Sequence, residues 1–132
     1  MKEERTEPSE ELDRVAHEVI GAAIEVHSVL GPGYLESVYE EAMSIELGLR
    51  GIPFARQTDV AVSYKGQQVG KGTMDFLVNG TLVVELKAVT ELAPVHKAQV
   101  MSYLKATGCK LGLLINFNVA LLKDGIRRIV LS

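Results

Sequence analysis

The chain has 132 residues, of which 47% are hydrophobic and 23% are charged, with a formal net charge of −3 at pH 7. This composition predicts one globular domain without a membrane span, and the lone Cys109 excludes an internal disulfide or a thiolate zinc site. The small negative charge neither supports nor excludes nucleic acid, and the N-terminus has no apolar signal-peptide core, which predicts a cytoplasmic protein.

The first part of the chain predicts two helices after an acidic lead-in. Residues 1–8 are expected to be flexible, and the single domain is expected to span residues 9–132. Ser9 is a plausible N-cap for an amphipathic helix that ends at Gly31. A second amphipathic helix follows and is expected to stop near Gly48.

The middle of the chain changes to an alternation of period two, which is typical of strands. The segment from Val60 to Tyr64 alternates and ends in a Lys65-Gly66 turn. The next hairpin covers residues 73–88, because Asn79-Gly80 between two apolar runs is a strong hairpin signal.

The last part of the chain predicts a helix between strands. The helix runs from Pro94 to Thr107, and the apolar run 111–117 is typical of a buried central strand. Asp124-Gly125 predicts a last hairpin that joins residues 119–123 to residues 126–131. We therefore predict an α/β fold in which helices pack on a mixed sheet and the last helix crosses over between two strands.

The hairpin around Asn79-Gly80 carries the most informative residues. Pairing across this turn brings Asp75 close to Glu85, and alternation places Glu85 and Lys87 on one face of the second strand, with Leu86 on the other. Two carboxylates and an ammonium among apolar residues are costly to bury without a purpose. A bound divalent cation would supply that purpose.

These residues predict a metal site. Asp75 and Glu85 are candidate ligands for Mg²⁺ or Mn²⁺, since hard cations take oxygen ligands, and the backbone carbonyl of Leu86 is a further candidate. Glu36, early in the second helix, is placed to reach the same metal or a second one. Lys87 is expected to position or activate the attacking water, or to stabilise charge in the transition state.

The third helix adds three polar candidates. Gln99 and Tyr103 are four residues apart and share a face, and His96 lies three residues before Gln99. These three side chains are able to bind a phosphate or to hold Lys87 in position. Each feature alone also has an ordinary explanation, as a polar strand face or as a solvated helix surface.

The string from Gly33 to Tyr39, Gly-Tyr-Leu-Glu-Ser-Val-Tyr, matches the signature of the small bacterial family called GxxExxY proteins. The resemblance covers nearly all of the chain, from about Leu12 to Leu131. That family is placed in the PD-(D/E)XK nuclease superfamily. The resemblance implies a restriction-endonuclease-like, three-layer α/β/α sandwich with a mixed central sheet.

The resemblance also implies roles for individual residues. In such nucleases an aspartate and a Glu-x-Lys pair hold Mg²⁺ and activate water, and these fall here on Asp75, Glu85 and Lys87. A helix glutamate that joins the metal site falls on Glu36. Exonuclease-type branches add a Gln-x-x-x-Tyr helix, which Gln99 and Tyr103 match. Met74 stands where the superfamily name has proline.

We therefore predict a Mg²⁺-dependent nuclease that hydrolyses phosphodiester bonds, with DNA a better candidate than RNA and with a homodimer possible. The catalytic candidates are Asp75, Glu85, Lys87, Gln99 and Tyr103. Two other functions fit the same residues. One is a catalytically silent module that binds nucleic acid or a protein partner, and the other is a hydrolase of small phosphorylated molecules.

Overall fold

A computed structural model describes residues 8–132, so the predicted acidic lead-in lies outside the described residues except for Pro8. No helix among these residues combines the length and hydropathy needed to cross a bilayer. The elements in chain order are α1 (Glu10–Leu30), α2 (Glu36–Leu49), β1 (Phe54–Tyr64), β2 (Gln67–Val78), β3 (Leu82–Lys87), α3 (Pro94–Thr107), β4 (Leu111–Asn116), a 3₁₀ helix (Leu122–Gly125) and β5 (Ile126–Val130).

Local sequence signals explain where the helices begin and end. The Ser9 hydroxyl accepts a hydrogen bond from the backbone N–H of Leu12 and caps α1, which ends at Gly31 with a φ of 70°. Pro94 occupies the first turn of α3, and Gly108 closes that helix in the left-handed conformation with a φ of 79°. The predicted helices are thus confirmed.

A mixed sheet of five strands in the order β1-β2-β3-β4-β5 forms the centre of the fold. Strands β3 and β4 are parallel, and every other neighbouring pair is antiparallel. Helix α3 is the crossover between β3 and β4, which a parallel pair requires. Asn79 and Gly80 have φ values of 55° and 69° and form the tight turn between β2 and β3.

Two apolar clusters cover the two faces of the sheet and make the fold a three-layer sandwich. Helices α1 and α2 pack on one face through residues such as Val19 and Met43, which are fully buried. Helix α3 packs on the other face through Val100 and Leu104. The prediction of an α/β/α arrangement is confirmed.

The predicted last hairpin is wrong. Residues 119–123 do not form a strand, and β5 pairs directly with β4 instead. The connecting segment is held by burial of Leu122 and by a hydrogen bond between His27 Nε2 and the carbonyl of Val119, 2.8 Å apart. Gly125 ends the 3₁₀ helix, where a Cβ would lie 2.1 Å from the backbone oxygen of Asn116. Asp124 and Gly125 therefore lie at the end of a 3₁₀ helix and do not form a β-hairpin turn.

Strands β1 and β2 continue beyond the other strands. The ladder between β2 and β3 covers only Phe76 to Val78 on β2, and the earlier residues of β2 pair with β1 alone. Residues 61–71, which we call the β1–β2 arm, are all exposed. Because β2 runs antiparallel to β3, this arm projects past the end at which β3 finishes.

Candidate functional site

The site lies where β2 and β3 separate. Their backbone ladder ends at the pair Phe76 and Val84, so that Asp75 and Glu85 would form the next pair in register. Instead, the backbone N–H of Asp75 donates to Glu85 Oε2 at 2.6 Å, and the N–H of Leu86 donates to Asp75 Oδ2 at 2.8 Å. Two carboxylates thus replace the ladder hydrogen bonds at this point. The structure brings the two predicted metal ligands together.

Burial changes the protonation of this pair. Glu85 is 3% exposed, and this burial, helped by the negative charge of Asp75, raises the pKa of Glu85 to about 8. Burial also raises the pKa of Asp75, although the N–H of Leu86 favours the charged form. Without a cation, the site therefore retains a proton at neutral pH.

Glu36 and Lys87 complete a group of four charged residues. Lys87 lies close enough to lower the pKa values of Glu36, Asp75 and Glu85, opposing the effect of burial on each. Glu36 is the first residue of α2, and partial burial raises its pKa, with the charges of Asp75 and Glu40 adding to the shift. Residues from α2, β2 and β3 therefore share one electrostatic environment.

Tyr39 explains how Glu36 is held at this position. The Tyr39 hydroxyl donates to the carbonyl of Gly31 at 2.6 Å and accepts from the N–H of Tyr34 at 3.2 Å. Its ring is fully buried and stacks on Phe117, with the ring centroids 4.6 Å apart. The loop of residues 31–35 between α1 and α2 is thus tied to the first turn of α2, which carries Glu36.

Helix α3 contributes Tyr103 but not Gln99. Tyr103 is buried against β2, where a Cβ on Gly72 would lie 2.6 Å from Tyr103 Cε1. Burial, together with the charge of Glu85, raises the pKa of Tyr103, and the nearby backbone N–H of Thr73 opposes this shift. Gln99 is exposed, and none of the hydrogen bonds or charge effects found at the site within residues 8–132 involves it.

His96 has a local structural role at the start of α3. Its Nδ1 accepts a hydrogen bond from the backbone N–H of Ala93 at 3.0 Å, which satisfies a donor at the helix N-terminus. His96 also lies near enough to Glu36 to lower the pKa of that carboxyl.

The donor set suits a small hard cation with few protein ligands. In the part of the chain that the structure describes, no three His, Cys, Asp or Glu side chains are arranged to hold a metal together. Mg²⁺ needs only one or two carboxylates and keeps several waters, so the pair Asp75 and Glu85 is sufficient. The carbonyl of Leu86 points to the same side of β3 as its N–H, which faces Asp75, and is a suitable third oxygen.

Gln57 and Glu40 also contact the site, although neither is among the residues predicted from the sequence. The Gln57 amide donates to Glu40 Oε1 at 2.8 Å and to Asp75 Oδ1 at 3.4 Å. Arg56 pairs with Glu40 at 2.9 Å and with Glu41 at 2.8 Å, so α2 and β1 are joined beside the site. Gln57 comes close to Asp75 only through the register of β1 on β2, which no local sequence pattern indicates.

Comparisons with known proteins identify the family of this chain. Residues 13–129 match the family described as the PD-(D/E)XK nuclease superfamily. A comparison with curated proteins found no match. The narrower resemblance to GxxExxY proteins stays a prediction.

Two solved structures share the fold. The crystal structure of an alkaline exonuclease (LHK-Exo) from Laribacter hongkongensis superposes with a TM-score of 0.52 at 13% identity, covering 97% of this chain and 73% of that one. The crystal structure of SSO0001 superposes with a TM-score of 0.50 at 18% identity, covering 92% of this chain and 57% of that one. Because the family match covers most of its length, the chain belongs to the PD-(D/E)XK nuclease superfamily.

Proposed function

We propose that this protein is a divalent-metal-dependent nuclease that hydrolyses phosphodiester bonds of nucleic acid, with DNA as the preferred substrate. The observation that carries the proposal is the contact of buried Glu85 with half-buried Asp75 beside Lys87, in a chain of the nuclease superfamily. A buried pair of carboxylates is unfavourable by itself, and a function that needs a cation explains why it is present.

Asp75, Glu85 and the carbonyl of Leu86 would hold Mg²⁺ or Mn²⁺, with Glu36 as a further ligand directly or through water. The cation, when bound, lowers the pKa of a coordinated water and offsets charge on the phosphate. Lys87 lies near the carboxylates, and its ammonium would orient the attacking water or stabilise the negative charge that develops on the phosphoryl oxygens. Tyr103 supports β2 beside Glu85, and Gln99, on the exposed surface of α3, would contact a substrate phosphate rather than the metal.

The β1–β2 arm supports a polymeric substrate over a small phosphorylated molecule. It projects from the site end of the sheet, and within residues 61–71 its charged side chains are Lys65 and Lys71. Tyr64 is 62% exposed at its tip. A two-stranded ribbon fits the major groove of a duplex, and an exposed aromatic ring is able to stack on a base.

The direct test is incubation of the purified protein with single-stranded and double-stranded DNA and RNA in Mg²⁺ or Mn²⁺. We expect cleavage that EDTA abolishes and that is faster for long DNA than for dinucleotides, because the arm contacts only a long substrate. Absence of cleavage with every substrate and both ions would contradict the proposal.

The same experiment separates the alternative functions. A catalytically silent binding module would bind nucleic acid in a salt-sensitive way that EDTA leaves unchanged, without cleavage. A phosphohydrolase of small molecules would cleave mononucleotides as fast as polymers and would be inhibited by nucleotides rather than by oligonucleotides.

A further inference from the structure

Gln57 has an unusual backbone conformation for a strand residue. Among residues 8–132, the non-glycine residues with positive φ are Gln57, Lys65 and Asn79, with values of 49°, 50° and 55°. Lys65 and Asn79 lie in the two hairpin turns, where this conformation is expected. Gln57 lies inside β1, where a left-handed conformation is unfavourable for a residue with a side chain.

The unusual residue lies directly opposite Asp75. The pairs Arg56–Phe76 and Thr58–Met74 flank the position, and the ladder is interrupted between them. The alternation of faces also reverses at Asp75, because Phe76 belongs to the cluster under α1 and α2 whereas Met74, two residues away, belongs to the cluster under α3. This distortion of β1 and β2 therefore coincides with the site, and a second irregularity lies between Val62 and Ser63 in the arm.

This conformation places the Gln57 side chain between two carboxylates. Its amide nitrogen lies 2.8 Å from Glu40 Oε1 and 3.4 Å from Asp75 Oδ1, so one neutral donor serves both acids. The other Asp75 oxygen accepts from the N–H of Leu86. The Asp75 carboxylate is thus held from two sides.

We propose that Gln57 is a positioning residue, whose left-handed backbone directs its amide onto Asp75 and fixes that carboxylate in the orientation that binds the cation. The inference rests on the proposed function of the site. Backbone strain that persists at one position is often retained because the geometry it enforces is needed. A hydrogen-bond donor of this kind orients a metal ligand without touching the metal.

Two substitutions separate the effect of the Gln57 side-chain amide from the effect of its strained backbone. Gln57→Ala removes the amide but keeps the strain, whereas Gln57→Gly removes both. Within an ordinary strand glycine is less stable than alanine. Here we expect the Gln57→Gly variant to melt a few degrees above the Gln57→Ala variant in EDTA, because only glycine adopts positive φ freely. Glu18→Ala, at an exposed position of α1 away from the site and the β1–β2 arm, is the control.

Metal binding and turnover provide the second readout. We expect calorimetric Mn²⁺ affinity and kcat to fall by about 10–100-fold in both Gln57 variants, as for loss of a residue that orients a metal ligand, and to stay unchanged in Glu18→Ala. A purely structural role would instead make the more stable glycine variant the more active one. Wild-type affinity in both variants would overturn the inference, whereas failure of the wild-type protein to bind Mn²⁺ or cleave would overturn the proposed function.

Discussion

Replacing Lys87 by alanine should abolish cleavage while leaving the metal in place. We expect kcat to fall by roughly 10²–10³-fold or more, because a preorganised positive group beside the reacting phosphate acts mainly on the transition state. Mn²⁺ affinity should stay the same or rise slightly, since the ammonium competes with the cation for the charges of Asp75 and Glu85. Single-turnover cleavage of labelled DNA, with calorimetric titration of Mn²⁺, measures both quantities.

The matched control is Lys105→Ala, an exposed lysine in the last turn of α3. It should cleave and bind metal as the wild type does. Cleavage by Lys87→Ala at the wild-type rate would contradict the role of the ammonium. A parallel loss of metal affinity would instead mean that Lys87 shapes the carboxylate pair rather than the reaction.

The metal-free protein should lose stability as the pH rises. Glu85 titrates near 4.5 as a free side chain and at about 8 in the folded protein. Below 4.5 it is protonated in both states, but above that pH the unfolded chain releases the proton first, so unfolding becomes more favourable until the folded state ionises too. The loss approaches on the order of 4–5 kcal/mol above pH 8. The raised pKa values of Asp75 and Glu36 act in the same direction.

Urea unfolding in EDTA at several pH values between about 5 and 9 measures this loss. Glu85→Gln should flatten the curve and make the metal-free protein more stable than the wild type at the alkaline end, because the neutral amide has no charge to desolvate. Mg²⁺ should restore wild-type stability at high pH but leave Glu85→Gln nearly unaffected. Stability that is independent of pH in EDTA would show that ionisation of the buried carboxylate does not oppose folding.

Much of the fold follows from signals that act over a few residues. The Ser9 cap, the Pro94 start and the Gly108 end of helices are local preferences, and they are found at the predicted positions. The Asn79-Gly80 turn fixes the register of one hairpin, and that register alone makes Asp75 and Glu85 neighbours. The central pair of the site was predictable for this reason.

Other features depend on tertiary packing. Asp124-Gly125 predicts a strand-joining turn, but burial of Leu122 and the contact of His27 with Val119 stabilise a 3₁₀ connection instead. Residues four apart on a helix differ by about 40° in direction, and this difference leaves Gln99 exposed while Tyr103 is buried at the sheet.

The left-handed conformation of Gln57 could not be predicted from the sequence. Glutamine has no local preference for a left-handed conformation, so nothing in its neighbourhood predicts the φ of 49°. The conformation accompanies side-chain hydrogen bonds to Glu40 and Asp75, which lie on two other elements. A residue of this kind is found only when the strand register and the helix position are both known.

Calorimetric titration of Mn²⁺ into the wild type and Asp75→Asn tests most directly whether Asp75 and Glu85 form one cation site. The wild type should bind the ion with heat that saturates, and Asp75→Asn should bind it roughly 10–100-fold more weakly or worse while keeping its circular dichroism spectrum. No binding by the folded wild type, or equal affinity in both proteins, would contradict the account.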